Sequence, residues 1–509
     1  MKMKIKSQEL LSGLWVFYDT CNVYVIKRGD RGIAIDFGSG KWLAALPSLG
    51  IRRLDHVFLT HHHADQCAGL QKKKKWPFTI HAPMREKTFL SPNGVKHFYK
   101  PRRQGCPPSY SVVARGIAGI RYDMYNFDDL FWQNQRLRFI HTPGHGPNAC
   151  SIVLDHDGKQ VVFCGDAAYE GAKIWQPYHL EWDHWTGTGA LAAWEGVIRL
   201  SSLGMDRLCP SHGPVIIERP RSKLRLLSAR LMRFYRAKGS ICPGEKDRYI
   251  APRMLACGAR EILPHLYQFG YNGYLLLSRA GEAMVIDPLL IHDMPAMEKL
   301  LRELKGVKPA VSASSHFHDD HCDGIPYLQK EYGVKAYLHP LVNTALRQGD
   351  PATWPWFPTQ AIQPDGLWPE KGKWSWREYA FRVAPWPGQT WWHCAFMTRV
   401  DGYKVFFGGD NFQPPSRWNG TGGFCAFNGS RFNEGFIPSA RLVLDWKPDI
   451  IAAGHDTYCH FSALRFKKIM RWAGRTEKII ADLCPSGDLE KDYYALKNIT
   501  VAPRAETIE

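Results

Sequence analysis

At 509 residues the chain exceeds one ordinary hydrophobic core, so two large domains are expected. A composition of 45% hydrophobic and 22% charged residues, with no long polar or repetitive tract, excludes a mostly disordered chain, and no apolar run is long enough for a membrane-spanning helix. The formal charge is +18, and residues 1–250 carry most of it, with 37 Lys and Arg against 21 Asp and Glu.

The first segment, MKMKIKSQELLSGLWVFYDTCNVYVIKRG, is basic and then apolar, superficially like a signal peptide. Asp19 and Asn22 interrupt it and no small-residue cleavage site follows, so it reads as the first strands of the fold. Residues 14–38 form two alternating strands joined by a Gly-containing turn and ending on Asp36. Then come HVFLT with His61, His63 and Asp65, the run Lys72-Lys73-Lys74-Lys75, HTPGH with His145, CGDAAY with Asp166, and CPSHG with His212. A helix is expected from Arg221 to Lys238, carrying seven basic residues. Such charge can draw an anionic substrate or simply keep a surface solvated, and no nucleic-acid-binding motif accompanies it.

The same landmarks then recur in the same order. LYQFGYNGYLLLSRAGEAMVIDP (266–288) answers 14–38 and ends on Asp287; His316, His318 and Asp320 answer the first histidine motif. PWPGQT with Gln389 answers HTPGH, GGDNF with Asp410 answers CGDAAY, and AAGHD with His455 answers CPSHG. Five landmarks offset by 243 to 255 residues indicate a duplicated domain, with domains at 1–245 and 246–509 joined through the Gly/Pro/charge-rich stretch 239–253. Short strands alternating with helices give each half an α/β layered architecture, with the motifs on strand-end loops. The 13 cysteines are odd in number and lack a CxxC pair, which fits a reducing, cytoplasmic setting.

Alternating histidines and an aspartate on a tight loop can turn two imidazoles and a carboxylate into one pocket, a donor set suited to zinc, iron or manganese. With the distant His or Gln, the GD and the GH or HG loops, both halves resemble metallo-β-lactamase-fold domains over roughly 14–235 and 264–475. The resemblance implies two tandem αββα sandwiches with metals at one edge. It implies that His61, His63 and His145 hold a first metal, that Asp65 and His212 hold a second, and that Asp166 bridges them. In the second half it implies His316 and His318 for the first metal, Asp320, His321 and His455 for the second, and Asp410 as the bridge. Each half departs once from the family pattern. Gln66 stands where a histidine would serve the second metal, and Gln389 where one would serve the first; both are weaker candidate ligands. His393, four residues on, is offset from the missing position.

Asp36 and Asp287 read as buried, hydrogen-bonded strand-end groups. Cys67 and Cys322, directly after the motif, read as small buried residues. Tyr169 is placed as in lactonases of the resembled fold, where a tyrosine assists the reacting carbonyl; packing is the competing role. Eight tryptophans lie within 354–392, and packing is their default; Trp391 and Trp392 are candidates for walling the second site.

The function expected is a metal-dependent hydrolase using a metal-bound hydroxide on an ester, lactone or thioester, with Asp65 and Asp320 orienting the nucleophile and passing a proton. One or two Zn2+ ions per domain are expected, with iron or manganese as alternatives. The substrate would be a small molecule, anionic if the basic half faces it; neither nucleic acid nor membrane is expected as a partner. The alternatives are a mononuclear iron oxygenase using His61, His145 and Asp166, or one catalytic domain with a degenerate partner serving binding or stability.

Overall fold

The computed structural model describes residues 5–98, 115–181, 188–238, 249–349, 354, 356–412 and 426–494. Within the expected link, residues 239–248 lie outside this set.

Among the described residues four sheets account for the strands, two in each half. The first has seven strands in chain order, Ser7–Leu11, Leu14–Tyr18, Asn22–Arg28, Arg31–Ile35, Arg53–Phe58, Thr79–Pro83 and Ile120–Met124. Its first four strands pair antiparallel and the later ones parallel. Along Asn22–Arg28, Tyr24 and Ile26 face one core while Val23 and Val25 face another. The two-residue period of a strand thus feeds apolar layers on both sides of the sheet. The inner layer joins this sheet to the second one, through Leu137, Phe139, Ile152, Leu154, Val161 and Phe163.

The second half repeats the plan. An eight-stranded sheet from Arg253–Met254 to Gly366–Leu367 faces a six-stranded sheet from Gly372–Trp376 to Thr457–His460. Tyr274, Leu276, Ile286, Phe381, Phe396 and Phe407 fill the space between them. Four of the tryptophans in 354–392, Trp354, Trp368, Trp376 and Trp386, are buried, so packing is what these four do.

Outer helices complete the layers. In the first half these include α1 (Thr188–Ser201) and α2 (Pro220–Lys238); in the second, α3 (Ile437–Trp446) and α4 (Ala463–Ala481) on one face, with Pro295–Leu304 and Ile325–Tyr332 on the other. Leu224, Leu227, Leu231 and Phe234 of α2 belong to the same buried cluster as Phe432, Phe436, Val443, Phe466, Ile469 and Trp472, so the halves share one continuous apolar layer. Trp472 Nε1 donates to Ala237 O at 2.7 Å and Ile174 N to Leu483 O at 2.9 Å across the same seam. The polar face of the basic helix has structural partners as well. Lys223 pairs with Glu170, Arg230 donates to Gly171 O and Ala172 O, and Arg233 pairs with Asp482. Among the described residues no helix is long and apolar enough to cross a membrane.

Candidate metal centres

Strand Arg53–Phe58 runs into Leu59 and Thr60, after which the backbone stays extended at His63 and closes into a single helical turn, Ala64–Cys67. That geometry sends His61 and His63 to one side and presents Asp65 and Gln66 from the turn. Three ring nitrogens converge: His61 Nε2 lies 3.1 Å from His63 Nδ1, and His145 Nε2 lies 3.0 Å from the same atom. Asp166 Oδ2 stands 3.6 Å from His61 Nε2 and 3.5 Å from His145 Nε2. On its other side Asp166 Oδ1 is 2.9 Å from His212 Nδ1, and His212 Nε2 is 3.1 Å from Asp65 Oδ2. The structure therefore links six of the seven sequence-selected donors, the seventh being Gln66, in one continuous series with Asp166 in the middle.

The electrostatics separate two positions. Burial pushes His61 down to about 3 and, with the neighbouring imidazoles, holds His63 and His145 well below the usual histidine range, so all three keep their lone pairs at neutral pH. Burial works against a proton on His212 too, but the charge of Asp166 and hydrogen bonds to Asp166 and Asp65 outweigh it and raise this ring to about 10. A raised folded value means that the stabilisation is fully present below about pH 6.5 and is lost as the pH climbs toward 10. Chelator-stripped protein should accordingly lose stability to denaturant across that window, and His212→Asn should flatten the loss; an unchanged slope in the variant would refute the assignment.

In the second half, strand Lys308–Ser314 leads into the turn Asp319–Cys322. His316, His318 and Asp410 form one group of converging donors and Asp320, His321 and His455 another. Asp410 links them, 3.1 Å from both His321 Nε2 and His455 Nε2. Burial holds His316 well below the usual range and brings His318 down to about 4. Burial would also lower His321, but Asp410, Asp320 and Asp287 together hold it well above the usual range.

Glycine and aspartate geometry shapes the strand ends. Asp36 and Asp287 both adopt left-handed backbone, at φ 58° and 50°, and accept hydrogen bonds from the next strand-end loop. Asp36 binds Thr60 N, Thr60 Oγ1 and Ser211 Oγ, and burial nonetheless pushes its carboxyl up to about 7. Asp287 binds Ser315 N and Ser315 Oγ. Both aspartates are buried and hydrogen-bonded at strand ends, as read from the sequence, and their bonds anchor the ligand loops. Cys67 and Cys322 are fully buried, each with Sγ 3.1 Å from the carbonyl oxygen of the second motif histidine.

The donor sets fit a divalent metal. Two ligand nitrogens about 2.0–2.1 Å from a tetrahedral ion stand about 3.4 Å apart, close to the spacing in the first triad. His316 Nε2 is buried without a hydrogen-bond partner among the described residues, the condition of a ligand atom reserved for an ion.

A sequence-family model described as the metallo-beta-lactamase superfamily matches residues 17–212 and again 266–455. The chain belongs to that superfamily. A curated relative, the atrochrysone carboxyl ACP thioesterase of Passalora fulva, is 28% identical over 161 residues, which is 30% of this chain; the chain spans about two-fifths (39%) of that relative's length. Solved structures similar to this chain include the metallo-beta-lactamase with a HARLDQ motif from Cronobacter sakazakii, at 14% identity and a TM-score of 0.33, covering 46% of this chain and 93% of that one. Another is the class B3 di-zinc metallo-beta-lactamase LRA-12 from an Alaskan soil metagenome, at 16% identity and a TM-score of 0.34, covering 45% of this chain and 93% of that one.

Within the superfamily pattern the two glutamines behave alike. Gln66 Nε2 donates to Asp166 Oδ2 at 3.1 Å and Gln389 Nε2 donates to Asp410 Oδ2 at 3.2 Å. Each amide turns its Nε2 donor to the central aspartate, and its Oε1 is buried. His393 stacks its ring on His316 at 4.6 Å, with Nδ1 3.0 Å from Cys394 O and Nε2 buried. Tyr169 lies over Gly213 and stacks on Trp175, which stacks on His212 at 4.5 Å. Trp392 packs on Trp354 and Phe317, and Trp391 beside Arg431.

Several site residues were absent from the sequence reading. His179 brings its ring within 4.3 Å of His63 and 4.7 Å of His145. Asn428 Oδ1 lies 2.8 Å from His318 Nε2. Asn272 donates to Asp320 Oδ2 at 2.8 Å and accepts from His455 N at 2.5 Å, bracing both second-position ligands. Its counterpart Asn22 donates to Pro210 O and Gly213 O on either side of His212. That pair carried a signal, because CNV and YNG occupy the same place in the repeat.

Among the described residues the second-position donors of the first half form no compact group like Asp320, His321 and His455. Gln66→His is therefore expected to raise the metal count of the intact chain by about one, read by elemental analysis after mild chelation. An unchanged count would mean that Gln66 is already an adequate part of a filled site.

Proposed function

We propose that the chain is a metal-dependent hydrolase acting on an ester, lactone or thioester, with zinc as its metal. The observation that supports this most is the pair of His61/His63/His145 and Asp65/Asp166/His212 at one sheet edge, each held by a buried anchor, with the same plan repeated in the second half. The thioesterase relative favours a thioester among these bonds. In the first half His61, His63, His145 and Asp166 would hold the first ion and Asp65, Asp166 and His212 the second. In the second half the corresponding residues are His316, His318 and Asp410, then Asp320, His321 and His455. The ions would lower the pKa of water and stabilise negative charge developing on a carbonyl oxygen.

The chain's own groups do the rest. Asp65 is a third exposed and Asp320 less so, while the triads are buried, so the two aspartates are the carboxylates at the open side, placed to take a proton from water and return it to the leaving group. Gln66 and Gln389 orient the central aspartates through their amides. Tyr169, packed over Gly213 and beside Trp175, which stacks on His212, would donate to the reacting carbonyl. A panel of ester, lactone and thioester substrates, offered to protein loaded with zinc, manganese or iron, tests the reading. Turnover of acyl thioesters by the zinc form is expected, with Tyr169→Phe lowering kcat about tenfold or more. Protein that retains one iron per domain, takes up no zinc and cleaves none of these substrates would overturn it.

A further inference from the structure

The seam between the halves passes beside both metal centres. The turn Pro177–Glu181 of the first half carries His179 against His63 and ends at Glu181, which is fully buried. Glu181 Oε1 pairs with Lys238 Nζ at 3.3 Å, deep in the seam, and accepts a hydrogen bond from Tyr493 OH of the second half. Glu181 Oε2 accepts the backbone N–H of Ala426 at 2.7 Å. Ala426 opens the turn Ala426–Asn428, and the other end of that turn is Asn428, buried, with Oδ1 on His318 Nε2. Gly429 N closes the same turn back onto Ala426 O, and Ser430 Oγ donates to Gln389 O.

We propose that Asn428 is a positioning residue for the second metal centre and that Glu181, reaching across from the first half, holds it in place, so that the first domain sets how tightly the second binds its metal. An amide oxygen can only accept, so Asn428 Oδ1 requires the proton of His318 to sit on Nε2. The nitrogen left with a lone pair is Nδ1, the same atom that His63 turns toward His61 and His145. Fixing the tautomer and ring orientation of a ligand histidine is the part that outer carbonyl and carboxylate partners play in metal sites. This matters most in the second half, where Gln389 stands in place of an imidazole and the remaining two must be well aimed. The anchor suits the task. A buried carboxylate balanced by an ammonium and further hydrogen bonds has one satisfied geometry, and losing a partner leaves an uncompensated charge.

The inference rests on the metal reading of the second centre, and the experiment separates the two. In full-length protein carrying His61→Ala and His63→Ala, metal affinity is read by chelator competition and geometry by the visible spectrum of the cobalt-loaded form. Asn428→Ala is expected to weaken binding 10–100-fold and to alter the cobalt spectrum, and Asn428→Asp, which still accepts from Nε2, to restore both. The paired change Glu181→Leu with Lys238→Met replaces the ion pair by apolar volume, preserves folding as judged by thermal melting, and should reproduce the Asn428→Ala loss. Unchanged affinity and spectrum in Asn428→Ala would overturn the positioning role. A loss in Asn428→Ala without one in a folded Glu181/Lys238 variant would overturn the hold exerted by the first half. Failure of the parent to bind cobalt at all would instead sink the metal reading itself.

Discussion

Replacing His63 with alanine should remove a metal from the first half and lower hydrolysis by about 10³-fold, equivalent to about 4 kcal/mol of transition-state stabilisation. His63 Nδ1 is the hub of its triad, within 3.1 Å of both His61 Nε2 and His145 Nε2, so no neighbour can take its place. The cavity left would also remove the ring on which His179 packs. His316→Ala makes the matching lesion in the second half. A large loss for His63→Ala with a modest one for His316→Ala is expected, because Tyr169 and Trp175 flank the first half's centre, while Phe412, in the corresponding place of the second half, is buried in the apolar layer that the halves share. Steady-state turnover and metal content measured on the same samples decide the matter. If His63→Ala loses its metal yet turns over normally, the second half carries the reaction and the roles assigned to Asp65 and Tyr169 fall.

Much of this arrangement was legible in the sequence, for a physical reason. Ligand loops follow strands directly, so a histidine motif after an apolar run such as HVFLT fixes both where the donors sit and which end of the sheet they occupy. Repetition of the same order then argues for two copies of one fold, as the two sandwiches show. Asp36 and Asp287 were legible as buried, hydrogen-bonded groups through the resemblance, which places a structural aspartate at that strand end; the left-handed backbone and the serine and threonine partners are what the structure adds.

What escaped the sequence came from tertiary approach. His179 and Asn428 lie in short turns, 13 and 18 residues beyond Asp166 and Asp410, where the halves no longer match letter by letter. Nothing in either local pattern marks them as neighbours of a ligand histidine; only the folding of each half brings them there. The basic stretch Arg221–Lys238 was open to two readings, an anionic ligand or a solvated surface, and its sequence did not show a third use: Arg221, Lys223, Arg230, Arg233 and Lys238 all have partners within the chain. An amphipathic helix reads the same whether its apolar face meets its own sheet or a second domain.

That seam supplies the other large effect. Trp472→Ala is expected to destabilise the folded chain by about 3–5 kcal/mol, the range for deleting a buried aromatic from a packed core. Trp472 is 2% exposed, packs on Phe432 and Phe436, and donates from Nε1 to Ala237 O at the end of α2. Trp472→Phe keeps most of the ring and loses only the hydrogen bond, so its cost should be nearer 1–3 kcal/mol, the cost of leaving Ala237 O buried and unmet. Both are read from urea unfolding. Because the residue bridges the halves, the alanine variant should also uncouple them, splitting one transition into two as each sandwich unfolds on its own. A single transition shifted by less than about 1 kcal/mol would show that the shared helical layer contributes little and that the halves are held together elsewhere.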